Sequence, residues 1–232
     1  MSQYIFTPPE TPSVAVRGSD QRYAVARIFC VGRNYAAHAR EMGSDPTRES
    51  PFYFTKPPVA LTPSGATVPY ALATRNLHHE MELVVAVGAP LLRATPAQAA
   101  KAVWGYAAGL DMTRRDLQNE AKAAGRPWDT GKSFEHSAVI GEFVPAIVTG
   151  PLERGAITLA VNGVEKQRGD LADMIWSVPE LLANLSQLYH LAPGDIVYTG
   201  TPEGVGPVVA GDVITGHIEG LGDIRFTLSE AE

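Results

Sequence analysis

Short apolar runs, each bounded by Pro or Gly, recur along the whole chain. They predict strands at R-I-F-C-V-G, P-F-Y-F-T, E-L-V-V-A-V and Y-A-A-G-L in the first half, and at A-I-T-L-A-V, D-I-V-Y-T-G, D-V-I-T-G-H-I and D-I-R-F-T-L in the second. Helical spacing is rarer. N-Y-A-A-H-A-R-E-M-G reads as a brief helix closed by Gly43, followed by a loop over 44–51. Residues 95–103 carry Thr95 as N-cap and Pro96 at the first helical position. Residues 113–125 carry Thr113 as N-cap, Asp116 three positions on and Gly125 at the far end. The run V-P-E-L-L-A-N-L-S-Q-L-Y is the remaining helix. Strands dominate, without the regular strand–helix alternation of a doubly wound parallel sheet. The pattern therefore predicts an α+β domain on a rolled, barrel-like sheet. Residues 1–26, broken by Pro8, Pro9 and Pro12, read as an extended arm, with the fold proper over 27–232.

One strand breaks the apolar pattern at its head. In H-H-E-M-E-L-V-V-A-V-G, Glu80 and Glu82 share a face with Val84 and Ala86, while Met81, Leu83, Val85 and Val87 line the other. Both faces are apolar further along, so the strand is buried, and two buried carboxylates need neutralisation, cationic partners or a metal ion. Glu-x-Glu is common by chance and on a solvated edge strand would mean nothing; further ligands must carry the metal reading. An oxygen-only site implies Mg²⁺, Mn²⁺ or Ca²⁺.

Composition narrows the function without naming it. The 232 residues suffice for one substantial domain, and 45% hydrophobic with 19% charged residues is the balance of an ordinary globular protein. No apolar run reaches the ~20 residues of a membrane span. The N-terminus lacks the basic start and apolar core of a signal peptide, which makes a cytoplasmic location the expectation. The single cysteine, Cys30, excludes an internal disulfide and a cysteine-rich zinc site, and its apolar neighbours make it a core residue. A net charge of −6 disfavours a nucleic-acid surface and leaves only local basic groups, Arg33, Arg114, Arg115, Arg126 and Lys132, to attract a small acidic substrate.

Asp111 closes the strand W-G-Y-A-A-G-L-D and is the natural third ligand; its alternative role is to help cap the following helix. On that helix Arg115 and Gln118 are three apart and project from one face, suited to a carboxylate and a keto oxygen, or else to solvent. Lys132 sits in the Gly-bearing loop D-T-G-K-S-F-E-H. His38 and Glu41, also three apart, form a pair in which the carboxylate can orient the imidazole to activate water; a solvated helix face is the bland alternative. T-G-T-P-E-G-V-G, Thr199 to Gly206, offers hydroxyls and backbone amides to an anion but has neither P-loop nor dinucleotide spacing.

These segments occur together and in order: C-V-G-R-N-Y-A-A-H-A-R-E-M-G, H-E-M-E-L-V-V-A-V-G, G-L-D-M-T-R-R-D-L-Q, G-K-S-F-E and Y-T-G-T-P-E-G-V-G. In this the chain resembles the fumarylacetoacetate hydrolase superfamily from about Arg27 onward, and within it the bacterial fumarylpyruvate hydrolase and acylpyruvase branch. The resemblance implies a mixed β-sheet rolled into a partly open barrel, and Glu80, Glu82 and Asp111 as ligands of Mg²⁺, with Mn²⁺ or Ca²⁺ as substitutes. It further implies His38 with Glu41 as the water-activating pair, Lys132 as a catalytic cation, and Arg115, Gln118 and Thr201 in contact with substrate. One departure is G-D-L-A-D-M-I-W-S, where relatives often carry Thr or Ser at Leu171 and Ala172. The implied reaction is hydrolysis of the C–C bond of an acylpyruvate, foremost fumarylpyruvate to fumarate and pyruvate in the degradation of aromatic compounds such as gentisate. Oxaloacetate decarboxylation or tautomerisation on the same metal site is the alternative, and a noncatalytic keto-acid-binding protein a more distant one. A second substrate carboxylate would need its own donor among Arg33, Arg75 and Arg126. A homodimer is implied by resemblance alone.

Overall fold

A strand apolar on both faces is stable only in the middle of a sheet covered on both sides. Met81–Val87 is such a strand, and every one of its residues is buried. The computed structural model describes residues 4–41 and 49–231, with side chains in the Ala36–Glu41 helix described as far as His38. Across the main sheet the strands run Tyr53–Lys56, Arg27–Val31, Asp195–Tyr198, Met81–Val87, Val103–Asp111, Ala138–Ile140 and Leu61–Pro63, with Val144–Pro145 also paired to Val103–Asp111. The Arg27–Val31/Asp195–Tyr198 and Leu61–Pro63/Ala138–Ile140 pairs are parallel and the others antiparallel. This mixed sheet rolls into a half-barrel with few short helices, as the pattern predicts.

The two faces of Met81–Val87 feed two cores, and the alternation read from sequence assigns each side chain correctly. Met81, Leu83, Val85 and Val87 join Ile157, Leu159, Ile214, Ile224 and Phe226 from a second sheet of five strands. Val84 and Ala86 join Val14, Val25, Ile28, Cys30, Phe143, Ile196 and Tyr198 on the other side. Each fully buried large apolar side chain contributes about 1.5–3 kcal/mol, so the strand carrying the two glutamates is among the most firmly anchored parts of the molecule. Because Met81–Val87 and Val103–Asp111 are antiparallel neighbours, with Met81 opposite Leu110 and Glu82 opposite Gly109, the start of one lies beside the end of the other. Glu80, Glu82 and Asp111 therefore meet at one edge of the barrel.

Several expectations need correction. The stretch read as an arm contributes to the domain: Ser13–Ala15 pairs with Arg22–Ala24, and Val14, Val16 and Val25 are buried. The apolar alternation of S-V-A-V is short enough to be masked by the prolines before it. Residues 4–12 precede the first strand, and there Tyr4, Ile5 and Phe6 stand exposed. Thr113 does not cap the next helix. It lies in a two-residue strand paired with Leu77–His79, and the helix Arg115–Ala123 starts after Arg114 without a side-chain cap. Thr95 does cap Pro96–Lys101, accepting from the Gln98 amide, and Gly125 takes the positive φ (+63°) of a helix terminator. Gly43 and most of the loop expected at 44–51 lie outside the described residues. No helix among the described residues is long and apolar enough to cross a membrane.

Candidate metal centre and active site

Glu80 and Glu82 reach the same space from different backbone settings. Glu80 lies between the Leu77–His79 and Met81–Val87 strands, yet its carbonyl still accepts from the Asp111 amide at 2.9 Å, which fixes the two acids side by side. One oxygen from each of Glu80, Glu82 and Asp111 falls within 4.8 Å of the others, and all three residues are buried. The resemblance placed these three together, and the strand register shows why they meet.

Cations crowd two of the three. Lys132 Nζ donates to Glu80 Oε2 at 2.8 Å, Asp111 Oδ2 at 2.7 Å and Thr113 Oγ1 at 2.6 Å, which uses all three of its N–H groups. Arg115 Nη2 pairs with Glu80 Oε1, and Lys56 Nζ lies 2.8 Å from Asp111 Oδ1. Among the described residues, no cation pairs with Glu82; its Oε2 accepts from the Gly200 amide at 2.8 Å. Gly200 has φ +97°, and a Cβ there would fall 2.7 Å from Asn34 Cβ, so only glycine brings this amide to the carboxylate. The anion expected in T-G-T-P-E-G-V-G is thus the protein's own Glu82.

The electrostatics follow the contacts. Burial pushes the Glu80 carboxyl up, but the Lys132 and Arg115 charges outweigh it and hold the group well below the usual carboxylate range. At Glu82 burial acts in the same direction as the negative Asp111 and Glu80, and the carboxyl is raised well above that range. Burial would lower Lys132, yet Asp111 and Glu80 raise it. Burial, then the Arg115 charge, lowers His78 to about 4, so this ring is neutral near pH 7.

A hard divalent cation fits this donor set. All three donors are carboxylates, Glu82 has no cationic partner among the described residues while it lies against Asp111 and Glu80, and Asp111 Oδ1 is buried without a directed hydrogen bond despite the nearby Lys56. Oxygen-only ligation suits Mg²⁺ or Mn²⁺.

A narrow crevice of about 20 Å³ leads to the cluster, lined by Arg33, His38, Glu80, Arg115, Gln118 and Lys132 among others. His38 is buried. Glu41 ends the Ala36–Glu41 helix three residues on, but its side chain lies outside the described residues, and with it the expected dyad. Gln118 and Arg115 share the buried face of their helix, as their spacing predicts. Lys132 departs from expectation: it ends a helical turn, Asp129–Lys132, whose Gly131 packs so tightly that a Cβ would lie 2.9 Å from the Gln118 amide. Thr201 is not on the crevice wall; its hydroxyl accepts from Gln167 Nε2 at 2.9 Å. Arg75 is held near Asp116, which accepts from its amide.

Sequence reasoning missed Lys56 and Gln167, both buried. Gln167 Oε1 accepts from the Met81 amide at 3.0 Å and meets His79 Nδ1 at 3.1 Å, while Nε2 reaches Thr201 and the Pro202 carbonyl. It ties the second sheet to the backbone between the two glutamates.

Comparison with known proteins agrees with this geometry. The fumarylacetoacetate (FAA) hydrolase C-terminal family matches residues 27–229. A fumarylpyruvate hydrolase from Ralstonia sp is 54% identical over 190 residues, covering 81% of this chain and 97% of the relative. The oxaloacetate tautomerase YcgM of Escherichia coli (strain K12) is 42% identical over 199 residues, 85% of this chain and 90% of the relative. The crystal structure of fumarylpyruvate hydrolase from Pseudomonas aeruginosa, in complex with Mn²⁺ and pyruvate, superimposes with a TM-score of 0.95 at 48% identity, covering 98% of this chain and all of that one. The barrel, the three buried carboxylates and these likenesses agree: the chain belongs to the fumarylacetoacetate hydrolase family.

Proposed function

We propose that the protein is a metal-dependent hydrolase that cleaves the C3–C4 bond of an acylpyruvate, with fumarylpyruvate as substrate and fumarate and pyruvate as products. The observation that carries this reading is the buried Glu80–Glu82–Asp111 cluster opening on a crevice that His38 lines. Similarity to the Ralstonia and Pseudomonas enzymes supports the choice of substrate. Mg²⁺ as resident metal, a homodimer and a cytoplasmic location in aromatic catabolism belong to the same proposal.

Glu80, Glu82 and Asp111 would hold the cation, which when bound supplies Lewis-acid stabilisation to negative charge on the pyruvate oxygens. Three carboxylates face Lys56, Lys132 and Arg115, so the protein's own charges balance, and a divalent ion leaves the centre positive enough to favour a dianion. Arg33, Arg115 and Gln118, which line the crevice, bind and orient the keto acid. His38 takes a proton from water, Glu41 supports the imidazolium, and the hydroxide adds to C4. Lys132 stabilises the C4 oxyanion by exchanging one of its three present hydrogen bonds, the one to neutral Thr113 being the least costly to give up. Breaking C3–C4 leaves the acyl carbon as a carboxylic acid and the electron pair on pyruvate as its enolate, to which the proton taken up by His38 returns at C3 while the new acid loses its own proton to solvent.

The second reading, oxaloacetate tautomerisation or decarboxylation, rests on the likeness to YcgM and needs enolate stabilisation without an attacking water. Purified protein with Mg²⁺ or Mn²⁺, assayed in parallel on fumarylpyruvate, acetylpyruvate and oxaloacetate with product identification, separates the two. Hydrolysis of fumarylpyruvate is expected to dominate; far faster oxaloacetate turnover would give the case to the second reading.

A further inference from the structure

The crevice of about 20 Å³ has room for about one water molecule, far less than a diketo acid needs. Trp128 and Lys132, which line it, also line a neighbouring cavity of about 390 Å³, in the size range of small-molecule sites. Its wall is aromatic: Phe52 meets Trp128 edge-on at 5.4 Å between centroids, Phe54 lies 5.9 Å from Trp128, and Lys132 Nζ stands 4.9 Å over Phe54. Flat aromatic faces beside the catalytic cation suit a planar conjugated chain.

Arg126 supplies a cation to this cavity. Its amide bonds the Ala121 carbonyl at 2.8 Å, and Gly125 and Pro127 fix the corner on either side. That corner joins the helix bearing Arg115 and Gln118 to the turn bearing Lys132, so one rigid unit presents groups for both ends of a substrate. Asp129 also lines the cavity, yet Arg126 makes no ion pair with it or with any carboxylate among the described residues, which leaves the guanidinium fork available. Arg33 lies over Phe52 on the crevice side, 5.4 Å from the ring centroid, where every keto acid must pass.

We propose that this cavity is the acyl subsite and that Arg126 is its specificity-determining residue, binding the distal carboxylate of the acyl chain while Phe52, Phe54 and Trp128 pack against the conjugated carbons. The assignment deepens the acylpyruvate reading and rests on it. Arg126→Leu and Arg126→Lys are compared with the unaltered Mn²⁺-loaded protein on fumarylpyruvate and on acetylpyruvate, which lacks the distal carboxylate. Arg126→Leu is expected to lower kcat/KM for fumarylpyruvate about 10- to 100-fold, the scale of one charge-assisted contact, mostly through KM. Acetylpyruvate turnover should stay within about twofold, and Arg126→Lys should recover part of the loss. Equal losses on both substrates, or no loss on either, overturn the subsite. If the unaltered protein hydrolyses neither acylpyruvate, the reaction assignment fails; fumarate binding by calorimetry then decides the subsite, which stands if Arg126→Leu weakens fumarate about tenfold and falls if affinity is unchanged.

Discussion

Glu80, Glu82 and Asp111 hang from the ends of paired strands, buried and flanked by Lys56, Lys132 and Arg115, whereas Arg126 and Trp128 stand in the irregular segment between two helices with part of each side chain in solvent. The inner group is over-determined. Lys132 alone makes three hydrogen bonds, and the strand beneath it feeds two cores. The outer group rests on aromatic contacts and one rigid corner. The two ends divide the labour: the rigid end serves what every acylpyruvate shares, the keto acid and the cation, while the exposed end reads what distinguishes one acyl chain from another. Preorganised charge costs no rearrangement during reaction, so it belongs where the chemistry is fixed.

Removing one inner ligand and one inner base separately has the largest expected effects. Glu82→Ala is expected to abolish Mn²⁺ binding in calorimetry and to lower turnover more than about 10³-fold, since an oxygen-only site with two carboxylates left holds the ion poorly. His38→Ala should keep Mn²⁺ affinity within about threefold and still lose hydrolysis by about 10²- to 10⁴-fold. Equal loss of metal in both variants would dissolve the distinction between ligand and base.

How far the sequence revealed this architecture depended on the signal each residue carries. Glu80 and Glu82 were legible because two acids interrupt a strand apolar on both faces, and Asp111 because it ends another such strand. Lys56 was not: a lysine at a strand end before two prolines reads as solvent-exposed, and only pairing with Ile28 across the sheet turns it inward. Gln167 lies in V-E-K-Q-R-G-D, which has no apolar alternation, so neither the strand nor its single buried side chain could be read. Two- and three-residue strands such as Thr113–Arg114 and Leu77–His79 are too short to show a period, which is why Thr113 passed for a helix cap. The helical turn at Lys132 is set by bonds of its own amide and that of Gly131 to the Trp128 carbonyl, a local geometry that D-T-G-K does not announce.

Lys56 gives the next largest effect, and it tests whether the inner group is held by charge balance. Its ammonium lies 2.8 Å from Asp111 Oδ1 and donates to the carbonyls of Met112 and Lys132, with no exposed surface on its side chain. Lys56→Met keeps much of the volume and removes the charge. Breaking one partner of a buried ion pair costs about 3–5 kcal/mol, so chemical denaturation of the metal-free protein should show a loss of that size. A loss under about 1 kcal/mol would mean that Lys132 alone neutralises Asp111.

Gln167 is expected to give the smallest effect and the sharpest one, because it touches neither group directly. Through the Met81 amide it fixes the backbone between Glu80 and Glu82, and through Thr201 it fixes the loop whose Gly200 amide holds Glu82. Gln167→Leu fills a similar space but leaves the Met81 amide and the Pro202 carbonyl without their partner, a cost of about 1–3 kcal/mol in stability. A residue that only braced the sheets would stop there. If Gln167 positions the ligands, Mn²⁺ affinity should also fall about 10-fold or more, as with outer partners of metal ligands elsewhere, while the preference for fumarylpyruvate over acetylpyruvate stays unchanged, because that preference belongs to the exposed end. Unchanged Mn²⁺ affinity would reduce Gln167 to a structural brace, and a shifted substrate preference would show that the two ends of the site are not independent.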